Sequence, residues 1–152
     1  MSTQRLRPAI VAASLIGVGI SGYLTYVHYA GIEPICAASG GCEKVQSSRY
    51  AELAGVPVAL LGLIGYLAIL ATALVRSDAA RLAGSSLALA GLGFSLYLTY
   101  LELFEIDAIC QWCVASAVAM AALAVLTVLR AASDEQAARH TPVVLTSGRT
   151  SR

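Results

Sequence analysis

Four stretches of this 152-residue chain contain no Asp, Glu, Lys or Arg: residues 8–32, 53–75, 82–101 and 108–129. Each reaches the roughly 20 residues that a helix needs to cross a hydrocarbon layer of about 30 Å. Helices are favoured over strands because a helix satisfies its own backbone hydrogen bonds where no water can. Composition agrees: 58% of residues are hydrophobic and 12% are charged, against about 25% charged in soluble domains. The expected fold is all-α, one integral membrane domain of four helices near 9–30, 57–76, 81–104 and 108–130. The polar segment 131–152, rich in Ser and Thr with Pro142, is expected to be disordered and cytoplasmic. The first run also reads as a secretory leader, because Arg5 and Arg7 precede an apolar core. Its length exceeds that of a typical leader core. A net charge of +1 offers no footprint for nucleic acid.

Positive charge sets the expected orientation. Arg5, Arg7, Arg76, Arg81, Arg130, Arg139, Arg149 and Arg152 fall on the side that holds both termini and the 76–81 turn, and only Lys44 and Arg49 fall on the other. Under the positive-inside rule both termini are cytoplasmic. All four cysteines, Cys36, Cys42, Cys110 and Cys113, then face outward, where disulfides persist. Tyr23, Tyr26, Tyr29, Tyr97, Tyr100 and Trp112 crowd the same boundary as an aromatic belt.

Residues 17–36 and 91–110 align without a gap at an offset of 74, with ten of 20 positions identical. The shared positions include Gly17/Gly91, Gly19/Gly93, the Tyr-Leu-Thr-Tyr runs at 23–26 and 97–100, and Cys36/Cys110. Glycine packing and interfacial tyrosines explain part of this, but not a cysteine in register. Helices one and three therefore run the same way and deliver a cysteine to the same face. The small residues let helices approach closely. The first outer loop, about 32–56, holds a flexible bridge over 37–41 and a short surface helix over 43–53 that turns Val45 and Leu53 toward the bundle. Gly55 and Pro57 stop it and start helix two. The second outer loop is short, about 105–107. Ser77 and Asp78 are candidate caps for helix three.

The chemistry lies in the cysteines. Cys110-Gln111-Trp112-Cys113 opens helix four; with Asp107 as cap, Cys110 is its third residue and Cys113 lies one turn deeper. A helix N-terminus favours a thiolate at Cys110, opposed by Glu105 and Asp107. A disulfide closing so small a ring exchanges easily. Two other readings compete: a structural zinc site, for which the 36/42 spacing is wide, and static disulfides in a non-catalytic tetraspan scaffold. A static clamp gains little across three residues, because stabilisation grows with loop length. A redox-active pair is preferred.

At these residues the chain resembles the vitamin K epoxide reductase family. The resemblance rests on Cys36, Cys42, Ser47-Ser48-Arg49-Tyr50, Gly55-Val56-Pro57-Val58-Ala59 with Gly62, and Cys110-x-x-Cys113, and covers roughly 10–130. It implies a thiol oxidoreductase supporting disulfide-bond formation. Electrons would pass from a thioredoxin-like or DsbA-like extracytoplasmic protein through Cys36 and Cys42 to Cys110 and Cys113. They would then enter a membrane quinone, menaquinone or ubiquinone, with no metal involved. By this resemblance Cys36 exchanges with the partner, Cys42 with Cys110, and Cys113 adjoins the quinone. Ser48 shapes or hydrogen-bonds the active site, and Ser48, Val58, Leu61, Tyr66 and Ala117 contribute to the quinone pocket. Many bacterial members carry a fused thioredoxin-like domain; here 23 residues follow Leu129, so the partner is expected to be a separate protein. Val58 and Ala117 stand where the vertebrate branch has a quinone-bonding Asn and Tyr, which favours simple quinone reduction over epoxide reduction.

Tyr66 near the middle of helix two reads equally as a quinone contact and as a packed tyrosine. His28 and Glu102 occupy equivalent repeat positions and read more readily as interfacial polar residues than as proton carriers. Arg49 is expected to meet lipid headgroups.

Overall fold

The first apolar run forms α1 (Thr3–Ala30) and ends at Gly31, whose φ of 64° is the left-handed conformation that closes many helices. The structure is a computed structural model describing residues 3–36 and 41–140, with side chains described over 6–36 and 41–133. A short helix, α2 (Gly41–Gln46), follows. Strands β1 (Glu52–Leu53) and β2 (Val56–Pro57) then pair antiparallel, with Glu52 opposite Pro57 and Leu53 opposite Val56. Ala54 and Gly55 between them both have positive φ, 53° and 80°, the two-residue turn that suits a tight hairpin. The surface helix expected over 43–53 therefore stops at Gln46. Val45 is buried as expected, but Leu53 is 54% exposed, because the hairpin turns its side chain out.

Pro57, with φ −57°, occupies the cap position of α3 (Val58–Leu74). The far end of α3 is held by α1: the Arg7 guanidinium donates to the Ala73 and Leu74 carbonyl oxygens at 3.1 and 3.0 Å. These are carbonyls the helix leaves unpaired, at the end whose dipole attracts a cation. Ser77 caps α4 (Asp78–Leu101) by accepting from the Ala80 N–H at 3.1 Å, and Asp78 pairs with Arg81 at 2.7 Å. A π-helical turn, Glu102–Ile106, extends α4 and ends at Asp107 with φ 52°. The last helix, α5 (Gln111–His140), runs well past the expected boundary. Segment 131–140, expected to be disordered, is thus helical, and 141–152 lie outside the described residues.

Helix α1 packs on α3 and α5, and α4 packs on α5 and α3. Their shared core takes side chains from all four: Ile10, then Tyr66, Ile69 and Ala73, then Ala88, then Met120, Leu123 and Ala124. Two repeat-related glycines make room for it. A Cβ on Gly17 would overlap the Tyr66 ring, and one on Gly91 would sit 2.8 Å from the Met120 sulfur. Gly19 and Gly93 face open space, so the expected close approach holds for only one glycine of each copy. Within both copies the threonine of the shared run donates to the carbonyl four residues back, Thr25 to Ser21 at 2.7 Å and Thr99 to Ser95 at 2.9 Å.

The outside of this assembly is apolar. Leu15, Ile16, Ile64, Leu67, Leu96 and Val118 all point outward and are exposed, far more apolar surface than a soluble monomer tolerates. Segments Leu6–Ala30, Asp78–Ile106 and Gln111–Ser133 are long and apolar enough to cross a membrane. Helix α3, with 17 residues, is about 26 Å long at roughly 1.5 Å per residue and falls short of that length.

Candidate functional site

A second buried cluster sits at the end of the helices where α1 and the π turn finish. It contains Cys42, Val45, Ile106 and Cys110, with Cys36, Tyr50, Ala108, Trp112 and Cys113 packed against it. Cysteines from two distant stretches of sequence therefore meet. Cys36 and Cys42 are bonded to each other, with Cα atoms 6.4 Å apart, whereas Cys110 and Cys113 are free thiols. Among the described residues no cluster of His, Cys, Asp and Glu is arranged to hold a metal ion.

Three local devices bring the pairs together. Gly41 lets the loop backbone touch the approach to α5, since a Cβ there would lie 2.5 Å from the Ile109 carbonyl oxygen. Gly41 is thus the first residue of α2 and a contact point, rather than part of a free bridge. Residue 35, next to Cys36, is gripped on both sides. Its N–H donates to the Tyr23 hydroxyl at 2.9 Å, and its carbonyl accepts from the Trp112 indole at 2.9 Å. The Tyr23 and Trp112 rings touch with centroids 5.0 Å apart. On the other side of the loop, His28 meets Glu52 at 3.3 Å and ties the hairpin to the end of α1.

Cys110 does not sit three residues into its helix. Helix α5 begins at Gln111, and the Cys110 carbonyl accepts the first helical bond from Val114 at 3.0 Å, which makes Cys110 the cap residue. The left-handed turn at Asp107 ends the π segment instead of opening α5. The Cys110 N–H is satisfied by Glu102 Oε2 at 3.2 Å. Its thiol is pushed down to about 7 from the usual range near 9, first by a hydrogen bond from the Cys113 side chain and then by the Cys113 and Trp112 backbone N–H groups. Burial and the nearby Glu102 charge oppose that shift without cancelling it. Donors at a helix start stabilise a thiolate in this way.

Cys113, one turn deeper, borders a cavity of about 180 Å³ between the helices. Ser48, Val58, Leu61, Tyr66 and Ala117 all line the same cavity, so the residues singled out from the sequence are brought together. The walls are mainly apolar, among them Leu24, Ile69, Phe94, Leu98 and Met120. Few polar groups interrupt them, the usual make-up of a small-molecule site. The Ser48 hydroxyl donates to the Val45 carbonyl at 2.7 Å. The Tyr66 hydroxyl donates to the Ser116 carbonyl at 2.7 Å and lies 2.9 Å from Ser116 Oγ. Tyr66 is accordingly both a packed tyrosine and a wall of the cavity.

Arg49 lies over the Tyr50 ring, 5.0 Å from its centroid, and bonds its hydroxyl at 2.9 Å. Glu102 is not interfacial: it is 4% exposed and borders the cavity. Its repeat partner His28 stays near the surface, where it meets Glu52 of the hairpin. Sequence reasoning also missed Tyr50, Ser116 and the grip on residue 35, although a tryptophan between the two cysteines of the second pair was a signal for the last.

Apolar helices of membrane-spanning length, with two cysteine pairs converging at one end, define a membrane redox protein. The sequence model of the vitamin K epoxide reductase family matches residues 8–128. The chain belongs to that family, and family membership makes it an oxidoreductase.

Proposed function

We propose that the protein is a membrane thiol oxidoreductase that takes electrons from a thioredoxin-like extracytoplasmic carrier and gives them to a membrane quinone, supporting disulfide-bond formation outside the cell. Cys36 exchanges with the carrier, Cys42 passes the electrons to Cys110, and Cys113 faces the quinone. Ser48, Val58, Leu61, Tyr66 and Ala117 shape the quinone site. The three long apolar helices cross the plasma membrane and the shorter α3 crosses with them, with both termini cytoplasmic and the cysteines outside, as the arginine distribution favours.

The observation that carries this reading is that the loop cysteines and the second pair share one buried cluster, whose deepest sulfur opens onto an apolar cavity. A loop disulfide beside two free thiols corresponds to electrons already moved inward. Small differences set the direction of flow, since about 30 mV amounts to roughly 1.4 kcal/mol for two electrons. When bound, a quinone supplies an acceptor for two electrons and two protons. The chain supplies the lowered Cys110 thiol, the thiol contact between Cys110 and Cys113 and a mainly apolar cavity.

The test is thiol-dependent quinol formation by the purified protein. Cys110→Ala should abolish it and leave electrons on the loop pair, while Cys42→Ala should trap a mixed disulfide between Cys36 and the carrier. Wild-type turnover by Cys110→Ala rejects the relay.

A further inference from the structure

Closing two thiols into a disulfide releases two protons, and reducing a quinone consumes two. The inner cysteine faces a mainly apolar cavity whose walls offer few groups to carry them. One carboxyl group lies on that wall. Glu102 is the sole acidic residue among the described residues lining the cavity, and it is 4% exposed. Glu102 keeps the α register, its N–H reaching the Leu98 carbonyl, and lies on the packed face of α4 where the π turn begins; such turns often mark functional positions.

Three contacts define its surroundings. Its Oε2 accepts the Cys110 N–H at 3.2 Å, and the Cys113 side chain lies beside it on the cavity wall. Glu102 also borders a second pocket on the outer side with Gly41, Lys44, Asp107 and Ala108. Among the described residues no cation pairs with it. A buried carboxyl group without a counter-charge is costly to keep ionised, which suits a group that gains and loses a proton.

We propose that the Glu102 carboxylate takes the proton from Cys113 Sγ as Cys110 and Cys113 close to a disulfide, and releases it into the cavity. The proposal rests on the quinone-reduction reading. The balance is two sulfur-bound hydrogens lost, one S–S bond formed, and two electrons and two protons delivered to a quinone, which leaves as hydroquinone. Cys110, as thiolate, has already given its proton to outer water. An equal proton returns through the outer pocket to the Glu102 carboxyl and follows the first. The titratable groups facing this path are Cys110 and Cys113 from α5, Lys44 and Asp107 in the outer pocket, and Tyr50 and Tyr66 on the cavity wall.

A purely structural Glu102 would only cap the start of α5. Glu102→Gln separates the roles, because its amide oxygen still accepts the Cys110 N–H but carries no proton. With a short-chain quinone, quinol formation by the dithiol protein should slow by about 100-fold, the usual scale for a lost proton carrier. Exchange between the loop pair and Cys110 should not slow, because Glu102→Gln also removes the charge that opposes the Cys110 thiolate, and Glu102→Asp should restore part of the quinol rate. A readout independent of turnover is the infrared spectrum recorded while the dithiol protein is being oxidised: a protonated carboxyl band should rise and decay in the wild type and be missing in Glu102→Gln. If Glu102→Gln fails to fold, the wild-type band still decides. A wild-type rate in Glu102→Gln, or a wild-type spectrum without a carboxyl change, overturns the assignment to Glu102. Wild-type protein that forms no quinol overturns the quinone reading itself.

Discussion

Cys110 owes its low thiol range to three atoms placed around its sulfur: the Cys113 side chain and the two backbone N–H groups that open α5. Above pH 7 the group is a thiolate, and it is protonated as pH falls through 7. The ultraviolet thiolate absorbance of the dithiol protein should therefore fall with a midpoint near 7 on acidification, with that component missing in Cys110→Ala. A midpoint near 9, the ordinary thiol range, would show that the donors do not reach the sulfur. The identity of the four sulfurs and the direction of this shift were legible in the sequence, because cysteine spacing and helix starts are local features. The position of Cys110 at the cap was not. It depends on the left-handed Asp107 and on a carboxylate eight residues earlier. Glu102 was misjudged for the same reason. An acidic residue at the end of an apolar run looks interfacial until helix packing shows that its face of α4 is the buried one.

The repeated helices show how one element pattern gives two packings. Gly17 receives the Tyr66 ring from α3 and Gly91 the Met120 side chain from α5, while Gly19 and Gly93 meet nothing. Gly17→Ala should lower stability by about 1–3 kcal/mol, the usual range for overpacking. Gly19→Ala should be neutral or raise stability by up to about 1 kcal/mol through helix propensity. Thermal unfolding in detergent compares the two, and equal melting temperatures would mean that Tyr66 does not need the gap. Periodicity and composition made the long helices readable, because each is a local solution to burying backbone in an apolar layer. The hairpin was not readable. A short run from Ala51 to Val58 fits the end of a surface helix as well as a turn, and only the pairing of Leu53 with Val56 selects the turn.

For the whole molecule, the arginine distribution predicts that the α3–α4 turn is cytoplasmic and the hairpin extracytoplasmic. In a background lacking the native cysteines, Ser77→Cys should be labelled by an impermeant reagent only after the membrane is opened. Ala54→Cys should be labelled in intact cells. The reverse pattern would invert the relay. The sequence by itself determined the helical class, the family motifs and the two cysteine pairs, because hydrophobic run length, charge placement and residue spacing are properties of the chain before it folds. Tertiary structure alone decided that Cys36 and Cys42 are bonded to each other, that the tyrosine–tryptophan grip holds the loop against α5, and that Glu102 stands between the inner thiol and two pockets. The grip and the core depend on side chains that meet across long stretches of chain, as in the bonds from Trp112 to Ile35, 77 residues apart, and from Tyr66 to Ser116, 50 apart. Spacing along the chain carries no information about such meetings until helix packing fixes them.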